Sequence, residues 1–201
     1  MSIPGYGKNK INAAFAHGGP ELLRQTIKES FDIDLQYYAI VDFQGFVQLI
    51  DTAFPEGVEV DVEKRMSKNI GVKLEPGVQN LDGNQLLGYV RFRQDAVGDF
   101  GRVERQQKVM KEIGNQLASF QTLPKLPKLI GVVTPYINTN MDTGDILFMA
   151  RGLLSKEGRN ISTLRIPIDH SYQDQRINGA GAVLAIDLEE NKQALKKFLS
   201  E

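Results

Sequence analysis

The order of elements read along this chain predicts an α/β protein, a layered α/β/α sandwich in which helices cover both faces of a central sheet of mixed strand direction. Three observations predict it. Short runs alternate apolar and polar residues, other stretches repeat apolar residues every three or four positions, and the two kinds are interleaved. Gly19 and Pro20 open a helix through Leu22, Leu23, Ile27 and Phe31, with proline at its favoured first position. A strand follows at Tyr37 to Val41. Asp42 caps a second helix with Phe46, Leu49, Ile50 and Ala53 on one face, and Val58 to Val62 alternates apolar and acidic residues as a half-exposed strand does. Asp82 is the N-cap of a helix through Gln85, Leu86, Leu87, Tyr89 and Val90, with Gly83 in its first turn. Val103, Met110, Ile113, Leu117 and Phe120 then mark an amphipathic helix of about five turns.

Pro124 and Pro127 stop that helix in the loop-like stretch Gln121 to Lys128. The expected division is therefore residues 1–120 as a main domain and 121–201 as a C-terminal portion packing on the same core. In that portion Asp142 or Asp145 caps a helix containing Ile146, Leu147, Ala150 and Leu154. Strands are expected near Thr163 to Ile168 and at Ala182 to Ile186. Asp187, three residues before Glu190, caps a final helix with acids early and Lys192, Lys196 and Lys197 late. Its Ala194, Leu195, Phe198 and Leu199 read as a face that packs on the core.

The chemistry concentrates between Tyr89 and Gln107, where Arg91, Arg93, Arg102 and Arg105 surround Asp95 and Asp99. The chain as a whole is balanced, with 24 Lys plus Arg against 25 Asp plus Glu and a net charge of −1. The cluster is thus local. Arginine at this density points to phosphate or carboxylate, because its planar fork makes two parallel charge-assisted hydrogen bonds and stays ionised at any working pH. Gly98 and Gly101 let the loop from Gln94 to Gly101 bend and bring Asp99 to the start of the second helix, where free amides and the helix dipole suit an anion. The other reading is a set of solvated surface ion pairs with Asp99 as an ordinary N-cap.

Composition narrows the alternatives. A chain of 201 residues, 41% apolar, supports one sizeable core. No run approaches the roughly 18 apolar residues of a membrane span, and MSIPGYGKNK lacks the apolar centre of a signal peptide. The absence of cysteine removes thiolate nucleophiles, disulfides and zinc-thiolate sites without deciding a compartment. With two histidines, His17 beside a Gly-Gly turn and His170 in a polar loop, and no Gly-x-Ser-x-Gly elbow, a serine hydrolase is disfavoured. The pair in Asn178-Gly179-Ala180-Gly181 precedes a strand and so lacks the order of a dinucleotide fingerprint. The near-neutral balance also argues against nucleic acid as a partner.

The arginine cluster, KINAAFAHGG at Lys10 to Gly19, VDFQGFVQLID and LDGNQLLGYVRFR together resemble the LytR-CpsA-Psr family of bacterial cell-envelope proteins. The resemblance runs through most of the chain to about Phe120. It implies a phosphotransferase that moves an anionic glycopolymer, such as teichoic acid or capsule, from a polyprenyl pyrophosphate carrier to peptidoglycan at the extracytoplasmic face of the membrane. Carried over, the family's Arg-x-Arg falls on Arg91 and Arg93, its acid on Asp99, and its Arg-x-x-Arg-Gln on Arg102, Arg105 and Gln106. Lys10 and Asn12 match its Lys-Ile-Asn motif. The resemblance makes Arg93, Asp99 and Arg102 the catalytic candidates and Arg91, Arg93, Arg102, Arg105, Gln106, Lys10 and Asn12 the pyrophosphate-binding ones. Asp99 either orients an arginine or helps deprotonate the acceptor hydroxyl.

Family members also carry a membrane helix, an Asp-Ser-Arg-x-Asp-Thr motif and a Ser-x-Pro-Arg-Asp motif, and none of these is in this chain. The expectation is a chain that begins inside the catalytic domain, with the magnesium-binding acids and the membrane anchor in a preceding segment and no metal ligand of its own. Alone it is expected to bind magnesium poorly, to transfer slowly or not at all, and to self-associate through an exposed sheet edge. The rival functions are a non-enzymatic regulator or attenuator of cell-envelope expression, and a polyprenyl-phosphate binding module without turnover.

Overall fold

The computed structural model describes residues 1–95, 98–119, 131, 134–154 and 161–200, which form two compact units. Helices and strands interleave, as the α/β reading expects. Among the described residues the strands pair as four two-stranded antiparallel ladders, and the parallel pairing that a mixed sheet would add is not among them. The proline-rich stretch Gln121 to Lys128 and Phe120 lie outside the described residues.

One unit combines Met1–Tyr38 with Leu164–Glu201. Its short strands β1 (Ser2–Ile3) and β2 (Gly7–Lys8) precede α1 (Ile11–Phe31). This helix starts eight residues before the expected Gly19, at Ile11, and bends where Gly18 and Gly19 leave helical geometry. Gly19 sits at φ 63°, ψ −156°, a region only glycine enters without strain, and Pro20 then restarts the helix. The Gly-Gly-Pro signal thus marks a kink inside a helix instead of its beginning. The expected strand at Thr163 to Ile168 is irregular chain, because Pro167 has no N–H to give a ladder. The pairing goes instead to β7 (Tyr172–Ile177) and β8 (Gly181–Ile186), whose polar partner strand is brought into register by the turn at Asn178 and Gly179, the latter at φ 83°.

The last helix, α6 (Leu188–Ser200), is capped as expected, with Asp187 Oδ1 accepting from the Glu190 amide at 3.0 Å. Its fully buried Asn191 donates to Ser171 Oγ at 2.8 Å and to the Asp187 carbonyl at 2.7 Å, and accepts from the Ile168 amide at 2.9 Å. Two of these three bonds tie the helix to the loop at Ile168 and Ser171, which suits the structural reading of this tail. Leu199, expected in the packed face, is exposed, while Ala194, Leu195 and Phe198 are partly buried.

The other unit, Ala39–Thr163, holds the arginine cluster. Its elements are β3 (Ala39–Val41), α2 (Phe43–Ala53), β4 (Val58–Val62), β5 (Gly77–Leu81), α3 (Gly83–Arg91), α4 (Asp99–Ser119), β6 (Ile137–Thr139) and α5 (Thr143–Leu154). Strand β3 pairs with β6 and β4 with β5. The alternation of β4 places Val58, Val60 and Val62 in the core with Ile50, Leu81, Leu86 and Tyr89, and turns Glu59 and Asp61 outward. Helix α4 closes the other edge of β4 with side chains. The Gln116 amide group bonds both the N–H and the C=O of Glu59, at 2.9 and 3.0 Å, and the Lys108 ammonium bonds the Asp61 carbonyl. An edge that would otherwise offer its backbone to another strand is therefore capped. Asp142 caps α5, accepting from the Asp145 amide at 2.8 Å.

Helices α2 and α3 meet at Gly83, whose amide donates to Asp51 Oδ1 at 2.7 Å. A Cβ there would lie 2.5 Å from the Val47 carbonyl oxygen and 2.8 Å from its Cα. Backbone cannot swing aside as a side chain can. Gly83→Ala is expected to destabilise the protein by about 1–3 kcal/mol in chemical denaturation, despite alanine's better helix propensity.

Candidate functional site

Three local devices bring the arginines together. The first is the start of α3, where Asp82 Oδ1 accepts from the Gln85 amide at 2.9 Å and Gln85 Oε1 accepts from the Asp82 amide at 3.1 Å, a reciprocal capping box. The second is the other end of α3, anchored by the buried Tyr89 and Phe92, so that Arg91 and Arg93 emerge on either side of a fixed ring. The Arg91 guanidinium lies over the Phe43 ring at 4.3 Å, a cation–π contact with the first residue of α2. The third is the first two turns of α4, which opens on Asp99 and carries Arg102 and Arg105.

Asp99 gathers two of the four arginines. Its Oδ1 is 2.8 Å from Arg93 Nε and 3.1 Å from Arg102 Nη2. These side chains remain open to solvent, Arg93 and Asp99 by about half and Arg102 by 31%. Arg102 Nε is itself buried and has no hydrogen-bond partner, and the same holds for Arg105 Nε. A buried donor without an acceptor is costly, so each arginine keeps an unused donor, but only Arg102 also presents an exposed part of its guanidinium to an anion.

Arg105 has another fate. Only 4% of its side chain is exposed. Its Nη1 contacts Asp95 Oδ2 at 3.0 Å and Glu63 Oε1 at 3.1 Å, and its Nη2 donates to the Phe92 carbonyl at 2.6 Å. Asp95, 6% exposed, also takes Lys64 Nζ at 3.1 Å and the Gly98 amide at 2.9 Å. Burial opposes ionisation of Asp95, but Lys64, Arg105 and the Gly98 amide outweigh it and hold the carboxyl below the usual aspartate range. Glu63 is likewise held low against its partial burial by backbone bonding, Tyr89 and Arg105. Tyr89 donates to Glu63 Oε2 at 2.9 Å, and burial together with that carboxylate pushes its phenol well above its ordinary value.

Of the candidates read from the sequence, Arg93, Asp99 and Arg102 are brought together. Arg91 stands beside them in sequence but rests on Phe43, Arg105 is enclosed by the acids, and the Gln106 amide donates to the Val90 carbonyl at 3.4 Å. Lys10 and Asn12 are exposed at the start of α1, in the other unit. The residues that sequence reasoning missed are Glu63, Lys64, Tyr89 and Phe43. The charged pair closing an alternating strand was the available signal for Glu63 and Lys64, but nothing local joins them to Arg105, which lies 42 positions beyond Glu63. Among the described residues no three His, Cys, Asp or Glu side chains gather closely enough to hold a metal ion. Nor is any described helix long and apolar enough to cross a membrane.

Comparison with known proteins gives a consistent picture. The model of the LytR_cpsA_psr family matches residues 1–197. The regulatory protein MsrR of Staphylococcus aureus is 49% identical over 199 residues, a match that takes in 99% of this chain and 61% of that protein. The polyisoprenyl-teichoic acid–peptidoglycan teichoic acid transferase TagU of Oceanobacillus iheyensis is 31% identical over 199 residues, covering 96% of this chain and 60% of that one. The chain thus spans about three fifths of the length of these relatives. Among solved structures, a transcriptional regulator from Enterococcus faecalis superposes with a TM-score of 0.82 at 26% identity, over 100% of this chain and 73% of that one.

The lowered native value of Asp95 fixes a pH dependence. A carboxyl held below its unfolded value stabilises the fold fully above that value, near pH 4, and the contribution disappears as pH falls through the lower native value. The stability difference between the protein and its Asp95→Asn variant is therefore expected to be flat from about pH 6 to 8 and to shrink steadily below about pH 4 in urea unfolding.

Proposed function

This chain belongs to the LytR_cpsA_psr family, and from that premise we propose that it forms the donor-phosphate site of a phosphotransferase. The enzyme moves an anionic glycopolymer of the teichoic acid or capsule kind from a polyprenyl pyrophosphate carrier to a peptidoglycan hydroxyl. The observation that carries the reading is the convergence of Arg93 and Arg102, both open to solvent, on one oxygen of Asp99. The name of the Oceanobacillus relative, a teichoic acid transferase, supports the choice of substrate class.

In this reading the two guanidiniums take the pyrophosphate oxygens and neutralise the charge that grows on the bridging oxygen as its bond to phosphorus breaks. The acceptor hydroxyl attacks the phosphorus attached to the polymer, the bridging P–O bond breaks, polyprenyl phosphate leaves, and the hydroxyl proton passes to the departing phosphate or to water. Asp99 contacts both arginines through one oxygen, and in this reading its role is to orient them. Magnesium belongs to the same proposal, bound through pyrophosphate oxygens and water more than through this chain's described acids. So does a place at the extracytoplasmic face of the membrane, where both the lipid donor and peptidoglycan are met.

A second reading, a non-enzymatic regulator of the cell envelope, is favoured by the name of the staphylococcal relative. It requires no lipid pyrophosphate binding at the arginines. Calorimetric titration with a short-chain polyprenyl pyrophosphate separates the two. An Arg93→Ala, Arg102→Ala double variant is expected to bind at least about 100-fold more weakly than the parent, since each lost charge-assisted contact is worth about 1.5–3 kcal/mol. Equal affinities for parent and variant contradict the phosphate-site reading.

A further inference from the structure

We propose that Arg105 is a positioning residue of this donor site and not one of its phosphate ligands: its buried guanidinium fixes the backbone on both sides of the loop that presents Arg93 and Asp99. The proposal rests on the donor-site reading and changes the membership of that site, since the sequence places Arg105 among the pyrophosphate ligands. Three contacts carry it. Through Nη2 it holds the carbonyl of Phe92, the residue immediately before Arg93. Through Nη1 it holds Asp95 Oδ2, and Asp95 Oδ1 in turn holds the amide of Gly98, the residue immediately before Asp99. The same Nη1 reaches Glu63 just beyond the end of β4, and Glu63 is held by the phenol of the fully buried Tyr89.

One side chain thus ties the end of α3, the start of α4 and the end of β4 to a single point. Its side chain is 4% exposed, against 31% for Arg102 one turn earlier and 54% for Arg93. A phosphate could reach the terminal nitrogens of Arg105 only by displacing Asp95, which has 6% exposure and a second cation in Lys64, or by displacing the Phe92 carbonyl, and its Nε, though without a partner, is closed off by burial. Either exchange strips a buried partner from a buried charge, which is strongly unfavourable. The division of labour follows from burial: the solvent-facing arginines bind, and the enclosed one sets where they point. Lysine cannot replace it, because a single ammonium on a flexible stem does not span the Phe92 carbonyl and two carboxylates in one plane.

The test uses the full-length protein and its Arg105→Lys, Asp95→Asn and doubly substituted forms. Two quantities are measured: hydrogen exchange at the Gly98 amide, and transfer from a short-chain polyprenyl pyrophosphate-linked disaccharide to a peptidoglycan oligomer. Asp95→Asn touches no ligand in either account and preserves shape, so it stays informative if Arg105→Lys folds poorly. Each single variant is expected to speed Gly98 exchange and to lower kcat by about tenfold or more, with KM within about threefold, because misplacing a binding group by about 1 Å costs rate more than affinity. The double variant is expected to be no worse than the worse single one, as residues acting through one bond are not additive. Unchanged Gly98 exchange in both single variants overturns the proposal, whatever the transfer rates. So does a KM raised tenfold in Arg105→Lys with kcat and Asp95→Asn unaffected, the pattern of a direct ligand. If the parent itself shows no transfer, the donor-site reading fails, and Gly98 exchange alone decides whether Arg105 positions the loop.

Discussion

A guanidinium keeps its charge inside a protein, so a buried arginine dictates its own surroundings. Arg105 is that constraint here. Its enclosure requires acids and a carbonyl within reach, and the chain supplies them from three places: Glu63 after β4, Phe92 after α3 and Asp95 in the loop before α4. The two acids are each secured again by a further contact, Glu63 by Tyr89, Asp95 by Lys64 and the Gly98 amide. The core beneath, with Val62, Leu86, Tyr89 and Phe92 packed together, fixes the platform on which these charges meet. The exposed cluster of Arg93, Asp99 and Arg102 is the outward consequence of this inner one.

The two clusters differ in what they can still do. In the inner one the charges of Arg105 and Lys64 are met by Asp95 and Glu63 at close range, and the burial of Arg105 and Asp95 leaves that pair little room to exchange partners. In the outer one a single half-exposed carboxylate faces two guanidiniums, so positive charge is in excess and water can be replaced by an anion at modest cost. The same residue types therefore serve structure and binding within one turn of α4, separated by solvent access. The Arg91 contact with Phe43 is of the binding-side kind, a cation resting on an aromatic face and still exposed.

Much of this was legible in the sequence, and the reasons are local. Asp42, Asp82 and Asp187 cap helices because capping depends on residues within one turn, and β4 is readable because alternation is its own signal. Gly18-Gly19-Pro20 misled because a kink and a helix start share the same residues. Strand β7, YQDQRI, carries no apolar alternation, and its pairing comes from the turn that follows it. Within the site, the grouping of Arg93, Asp99 and Arg102 could be read from a short segment. The separate role of Arg105 could not, since it is decided by Glu63 and the Phe92 carbonyl, and one Arg-x-x-Arg does not say which arginine faces inward.

The central claim is that Arg93 and Arg102 meet the donor phosphate while Arg105 holds them in place. The most direct measurement is a nuclear magnetic resonance titration with inorganic pyrophosphate, following the side-chain Nε–H signals of the arginines. The account predicts that the Arg93 and Arg102 signals move in proportion to occupancy while that of Arg105 stays where it is. Movement of the Arg105 signal together with the other two, or no movement at Arg93 and Arg102, would contradict it.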